Sequence, residues 1–260
     1  MSLDDGYVSA EYLKKVAGRA RSLKELSYEH MNIAPGMTLL DVGCGPASDT
    51  LALAALTGTS GKVIGIDSDA AMLEEACKMV ADSEWNSTIE HRIGSATELP
   101  LTDNAVDACR AERLLQVLSP ELEHQVVSEL VRVTKPGGRI VLIDTDWGSA
   151  SVDFSDSELE RRLLAFFATR MRPNGFAGRR LHGLCRKHRL GEIRLDTLPF
   201  VEQRYEESPL GEWLVTTALR GHIISDHEAG RWREELMTKQ QQGCFYSSVT
   251  LVIASGEKGG

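Results

Sequence analysis

The strands of this chain show as short unbroken apolar runs, and its helices as apolar positions spaced three and four residues apart. Leu39-Leu40-Asp41-Val42 and Val63-Ile64-Gly65-Ile66 are runs of the first kind, as expected of strands buried in a sheet. Strands are predicted at Met37–Val42, Lys62–Asp67, Thr88–Ile93, Ala105–Arg110, Arg139–Thr145, Ile193–Gln203 and Phe245–Ala254. A first helix is predicted from Tyr7 to Met31, with Val8, Tyr12, Val16, Ala20, Leu23 and Leu26 on its buried face. Further helices follow Pro46, start near Asp69, and open at Ser119-Pro120-Glu121. Beyond Asp146, capping boxes at Ser155–Glu158 and Ser225–Glu228 open helices. Two more are expected at Ala177–Arg189 and after Ser208-Pro209.

Alternating strands and helices imply right-handed crossovers and an α/β fold. The prediction is a Rossmann-like, seven-stranded, mostly parallel sheet flanked by helices, with an antiparallel last strand at or near one edge. The helices between the last two strands, about 205–242, form a lid insertion. The chain reads as one domain over 1–260: a helical cap at 1–34, a core at 35–150 and a C-terminal part at 151–255.

Chemistry enters at the ends of the first two strands. Gly43 and Gly45 allow a sharp turn and close backbone approach to a ligand. Asp67 ends the second strand 22 residues after Gly45, where an acid accepts hydrogen bonds from a ribose diol. A nucleoside site follows. Dinucleotide sites have a third glycine and receive a pyrophosphate, but here Ser48 replaces that glycine and Asp41 precedes the turn. A carboxylate there repels phosphate and favours an ammonium or sulfonium, both of which S-adenosylmethionine (SAM) carries.

With its acidic-x-Gly-x-Gly motif at Asp41, Gly43 and Gly45, the chain resembles the class I SAM-dependent methyltransferases. The resemblance runs from about Pro35 to Asp146. It includes Arg92–Ala96, Leu99-Pro100-Leu101, Asp103, Ala105–Cys109 and Thr134–Arg139, and comes nearest the ubiquinone/menaquinone-biosynthesis branch of small-molecule methyltransferases. It implies that Asp41, Gly43, Cys44 and Gly45 hold the methionine end, that Asp67 and Ser68 lie at the ribose, and that Met72, Ser95 and Ala96 border the adenine. Ser95 stands where the family often has aspartate. Arg110 meets either the methionine carboxylate or Glu112. The implied reaction is methyl transfer from SAM to a small-molecule acceptor. The alternatives are a SAM-binding module without transfer and a nicotinamide-dependent oxidoreductase.

Composition narrows the partners. Against 38 acidic residues stand 29 basic ones, a net charge of −9, which argues against nucleic acid. Five scattered cysteines without a C-x-x-C pair suggest neither a disulfide framework nor a metal site. No apolar run approaches the roughly 18 residues of a membrane helix, and the acidic start Met1–Gly6 lacks a leader's apolar core. A soluble, cytoplasmic protein without membrane insertion is expected.

Methyl transfer needs positioning more than catalytic groups, so the catalytic candidates are few. Asp146, after the fifth strand, and His222, beside the insertion helices, are candidate bases; each has an alternative role as a loop cap or surface residue. Trp147 is either core or a wall of the acceptor pocket. Cys109 lacks the preceding proline of the cytosine-C5 methyltransferase nucleophile and reads as a buried strand residue.

Overall fold

The computed structural model describes residues 21–260. The predicted helical positions Val8, Tyr12, Val16 and Ala20 lie outside the described residues. The first described helix, α1, is Arg21–Met31. Strand β1 (Thr38–Val42), helix α2 (Ser48–Thr57), β2 (Lys62–Asp67), α3 (Ala70–Ala81), β3 (Ile89–Ile93), β4 (Val106–Glu112), α4 (Glu123–Val133) and β5 (Thr134–Val152) build the nucleotide-type half. Helix α5 (Ser157–Phe166), α6 (Ala177–Lys187), β6 (Gly191–Glu202), α7 (Glu212–Arg220), α8 (Asp226–Gln241) and β7 (Ser247–Glu257) follow.

The sheet order is β3-β2-β1-β4-β5-β7-β6. Pairs from β3 to β5 are parallel, whereas β7 runs antiparallel between β5 and β6. The antiparallel strand is thus one place in from the edge. Strand order reverses between β1 and β4, so the crevice of an open α/β sheet falls at their carboxyl ends.

Successive residues of the inner strands point to opposite faces, and both faces are covered. Leu40, Ile64, Cys109 and Ile140 pack toward Val126, Leu130, Leu181 and Leu184 of α4 and α6. Leu39, Val63, Ala108 and Val141 pack toward Leu23 and Met31 of α1 and Leu53 of α2. Burial on both sides explains why these strands read as continuous apolar runs.

Strand β5 is longer than its apolar run predicts. After a bulge between Asp146 and Ser151, its last residues pair with Ser247 and Ser248 of β7, and the Ser151 and Ser248 hydroxyls lie 3.0 Å apart. Gly148-Ser149-Ala150 resembles a loop in composition and lies in that bulge, while Ser151 and Val152 resume the pairing. This extension carries a separate apolar cluster, in which Trp147, Phe154, Leu163 and Phe167 meet Leu214, Trp232 and Leu236 of the insertion.

Two helix starts differ from the sequence pattern. The cap of α5 is Asp156, whose side chain accepts the Glu158 and Leu159 N–H groups; Ser155 instead bonds Glu235 through its N–H and hydroxyl. Helix α7 starts at Glu212 rather than beside Ser208-Pro209, because the Ser208 hydroxyl is engaged with Ser247 at 2.8 Å and with the Leu210 N–H. The box at Ser225 forms as predicted. Ser225 Oγ accepts the Glu228 N–H at 3.3 Å, and Glu228 Oε2 accepts the Ser225 N–H at 2.8 Å. Ser225→Ala is expected to cost about 1 kcal/mol. Urea unfolding checks this through a lower midpoint with an unchanged slope; an unchanged midpoint would show that the cap contributes nothing.

Candidate functional site

The turn after β1 is shaped by its backbone. Gly43, Gly45 and Ala47 all have positive φ, at 74°, 52° and 68°, a region that costs a residue with a Cβ more than a glycine. Gly43 and Cys44 donate their N–H groups to the Ile66 carbonyl at 2.7 and 3.2 Å. A Cβ on Gly43 would stand 3.3 Å from Leu114 Cδ1. Asp67 ties the two strand tips together: Oδ2 accepts the Gly45 N–H and Oδ1 the Asp69 N–H, each at 2.9 Å.

Above this turn lies a cavity of about 450 Å³. Asp41, Gly43, Cys44, Gly45, Asp67, Ser68, Met72, Ser95, Ala96 and Arg110 all line it, so the structure brings every predicted cofactor residue to one place. Ser95 is engaged within its own loop, its hydroxyl 2.7 Å from that of Thr97 and accepting the Thr97 N–H.

The floor of the cavity is a buried charge cluster. Asp41 and Arg110 are register partners on β1 and β4. Arg110 Nη1 lies 3.6 Å from Asp41 and 2.7 Å from Asp49, and Nη2 pairs with Glu112. Lys24 and Tyr28 reach in from α1: Lys24 pairs with Asp49, and the Tyr28 hydroxyl donates to Asp49 at 2.6 Å. The Tyr28 ring lies 5.4 Å from the Arg110 guanidinium carbon, within cation–π range. Burial, reinforced by Asp49 and Glu112, pushes the Asp41 carboxyl above its ordinary value, against the pull of Arg110. Asp49 is desolvated too, but Arg110, Lys24 and Tyr28 hold its carboxyl low. Arg110 Nε and Nη1 are buried without an aligned hydrogen-bond acceptor. Asp41, Asp49 and Glu112 against Arg110 and Lys24 leave the cluster one charge negative when all are ionised. Arg110 therefore meets Glu112, as one of its two predicted alternatives held, together with two further carboxylates.

A second cavity, of about 190 Å³, adjoins the first. Glu112 and Arg113 line both. Arg113 holds φ at 54°, a conformation uncommon for a residue with a long side chain and often found near functional sites. Trp147, Phe200, Leu210, Val249 and Leu251 supply apolar walls.

Trp147 is both things the sequence allowed. It is 5% exposed and packs against Phe167, ring centroids 4.7 Å apart and tilted by 56°, yet it lines the smaller cavity. Its indole N–H donates to Gln116 Oε1 at 2.7 Å. Gln116 lines the larger cavity, so one hydrogen bond joins the two walls. The two candidate bases are not brought there. Asp146 points away from Trp147 along the alternating strand and is held by Arg179 at 2.8 Å; it lines neither cavity. His222 is exposed in the turn after α7 at φ 53° and lines neither. The insertion covers only the smaller cavity, through residues 206–210. No cluster fit to hold a metal occurs among the described residues. Nor does any helix there have the length and apolarity to cross a membrane.

The sequence reading missed Lys24, Tyr28, Asp49 and Gln116. Asp49 carries the one visible signal, an acid in the first turn of a helix, but that position has an ordinary explanation in the helix dipole.

The methyltransferase-domain family profile matches residues 39–138, the segment that carries the turn, Asp67 and the charge cluster. Over that segment the chain is similar to the methyltransferase-domain family. An uncharacterised 37.1 kDa protein of transposon TN4556 from Streptomyces fradiae is 36% identical over 67% of this chain and 50% of its own. The demethylmenaquinone methyltransferase of Desulfitobacterium hafniense is 37% identical over 49% of each. The chain spans about half the length of the curated relatives it matches. Among solved structures, the YcgJ protein of Bacillus subtilis shares the fold with a TM-score of 0.64 at 18% identity, covering 91% of this chain and 98% of that one.

Asp144 supports the site from beneath. Its carboxylate accepts the Thr145 N–H at 2.8 Å and the Gln116 N–H at 3.1 Å, and burial pushes its pKa from 3.8 up to about 7. A raised carboxyl pKa contributes stability that is fully present below the unfolded-state value and lost as pH rises through the folded-state value. Wild-type stability relative to Asp144→Asn should therefore fall by a few kcal/mol, roughly, between pH 4 and pH 8. Urea melts of both proteins across that range give the difference; a difference independent of pH would refute it.

Proposed function

We propose that this chain transfers the methyl group of SAM to a small-molecule acceptor. The observation that carries the reading is the pairing of the glycine turn with a buried cluster that suits both ends of an amino acid. Its net negative charge favours an ammonium beside Asp41. Arg110 Nε, buried without a hydrogen-bond partner, leaves a donor for an acceptor such as a carboxylate. The methionine end of SAM offers both, and neither is a phosphate. Asp67 would take the ribose hydroxyls, with Ser68 beside them, while Met72, Ser95 and Ala96 would border the adenine.

SAM supplies an activated methyl on a sulfonium. In transfer the carbon–sulfur bond breaks, its electrons stay on sulfur, and the acceptor's nucleophilic atom forms the new bond and sheds a proton where it carries one. The chain's own contribution is positioning. The larger cavity would fix the donor and the smaller one the acceptor, with Glu112 and Arg113 at their junction. Neither Asp146 nor His222 is proposed as a base. The family match over residues 39–138 and the methyltransferase name of the Desulfitobacterium relative support the same reaction class. The arrangement suits a single methyltransferase unit with the core near 35–150, the remainder completing the acceptor side.

Asp67→Ala removes a charged acceptor from two hydroxyls and should weaken SAM and S-adenosylhomocysteine binding by about tenfold or more. Calorimetry on a variant with unchanged circular dichroism measures this; full affinity in that variant would remove the ribose assignment. Val249→Phe should fill the smaller cavity and lower turnover of any acceptor by about tenfold or more, while SAM affinity stays within about threefold. Undiminished turnover would place the acceptor elsewhere.

A further inference from the structure

The loop after β3 lines the larger cavity through Gly94, Ser95, Ala96 and Thr97. It lies on the side away from Arg110, since β2 and β1 stand between β3 and β4. Its backbone is fixed at several points. The Gly94 N–H donates to the Asp67 carbonyl at 3.0 Å, and the Glu98 N–H to the Ser95 carbonyl at 3.1 Å. Gln125 Nε2 donates to the Thr97 carbonyl at 3.1 Å. On this frame the Ser95 and Thr97 hydroxyls sit 2.7 Å apart, and Ser95 Oγ also accepts the Thr97 N–H at 3.2 Å. Two hydroxyls carry two protons and four lone pairs. Their mutual bond uses one of each, and the Thr97 N–H takes a second lone pair. Whichever hydroxyl donates, one proton and two lone pairs remain. When Ser95 donates, Thr97 keeps the free proton and Ser95 a lone pair; when Thr97 donates, the free proton is on Ser95 and the lone pairs are on Thr97. Reversing this one bond exchanges donor and acceptor positions.

We propose that the donor cavity takes 6-oxopurine nucleosides as well as 6-aminopurine ones, with the Ser95–Thr97 hydroxyl pair reading either edge. The inference rests on the methyltransferase reading, which lays the base against Ser95 and Ala96, and specifies the donor class of that same site. Adenine presents a hydrogen-bond donor at its 6-amino group and an acceptor at N1. Hypoxanthine presents the inverse, an acceptor at O6 and a donor at N1–H. Sites discriminate between such edges by leaving a polar group unpaired with the wrong one. A pair of hydroxyls whose internal bond can reverse leaves none unpaired with either. A carboxylate at position 95 would behave otherwise: ionised, it only accepts, so it suits the amino group and opposes O6. Deamination of S-adenosylhomocysteine at C6 therefore leaves it a competitor for this site.

The test titrates the full chain by calorimetry with S-adenosylhomocysteine and S-inosylhomocysteine, which differ only along the purine edge. The two dissociation constants should agree within about fivefold. A preference of about tenfold or more for either ligand overturns the inference, as does failure of S-inosylhomocysteine to bind. Ser95→Asp should then separate the ligands by about tenfold or more in favour of S-adenosylhomocysteine. A ratio unchanged in that variant also overturns it, because position 95 then does not face the base. Ser95→Ala introduces no charge and should weaken both ligands by a similar factor, about threefold to tenfold; full affinity for both overturns the inference even where the aspartate variant fails to fold. Failure of S-adenosylhomocysteine itself to bind the unaltered chain would strike the methyltransferase reading. Binding of S-adenosylhomocysteine with rejection of its deaminated form strikes the donor range alone.

Discussion

A buried arginine beside three carboxylates organises this molecule. Arg110 is fully buried in the middle of the sheet, next to Asp41 in register and within reach of Asp49 and Glu112. Removing ions from water is costly, and attraction between them offsets that cost only when the geometry is good and other hydrogen bonds help. Here the geometry comes from the strand register, and the extra contacts come from α1 through Lys24 and Tyr28. The cluster sits where strand order reverses, the place at which an open parallel sheet leaves a crevice. The element that packs against one face of the sheet therefore also completes the charge balance of the site. The same six side chains that tie α1 to the sheet are those that the proposed function places beside the ligand.

Much of this was legible beforehand because it is local. Each inner strand is a run of consecutive apolar residues, and β2 starts and ends where the run predicts, at Lys62 and Asp67. Glycines at positive φ directly follow the first strand, and a carboxylate marks the tip of the next, 22 residues beyond Gly45. The ten positions read from those motifs all line one cavity. What was hidden depends on distance along the chain. Lys24 and Tyr28 reach Asp49 across 25 and 21 residues, and nothing in the spacing of α1 says that two of its polar residues face a buried acid. Strand β5 was read too short because its outer end, beyond the apolar run, rejoins β7 only after a bulge, at Ser151 and Val152. Asp146 and His222 were chosen for residue type and approximate place. Strand alternation turns Asp146 toward Arg179 instead of the cavities, and His222 sits in a surface turn.

The extended β5 also explains why the acceptor side resists reading from sequence. Its outer half carries Trp147 into a second apolar cluster, apart from the two that sandwich the sheet. The smaller cavity forms where that cluster meets the sheet, so its lining comes from α1, the tip of β4, β5, the end of β6, the start of the insertion and β7. No short motif spans such a set. The donor cavity, by contrast, is built mainly from turns that each follow one strand. A fold that takes one cavity from strand tips and the other from the junction of two cores leaves the second free to vary without disturbing the first.

The hydrogen bond from Trp147 to Gln116 is where those two parts are joined. Gln116 lines the donor cavity, receives the indole N–H, and is itself held by Asp144 through its backbone. Asp144 and Trp147 lie on opposite faces of β5, so a single strand fixes both partners of Gln116. Either bond alone would leave the residue a degree of freedom; together they set the position of the short helical turn Leu115–Val117 beside the Gly43 turn. Leu114, which immediately precedes it, is the side chain a Cβ at Gly43 would meet. The left-handed conformation of Arg113 directs the chain into this turn, and its backbone N–H is anchored to the Ile143 carbonyl at 2.7 Å. The wall between the two cavities is thus held by β5 from behind. Distance between the two cavities is governed by a strand of the central sheet, which deforms far less readily than a surface loop.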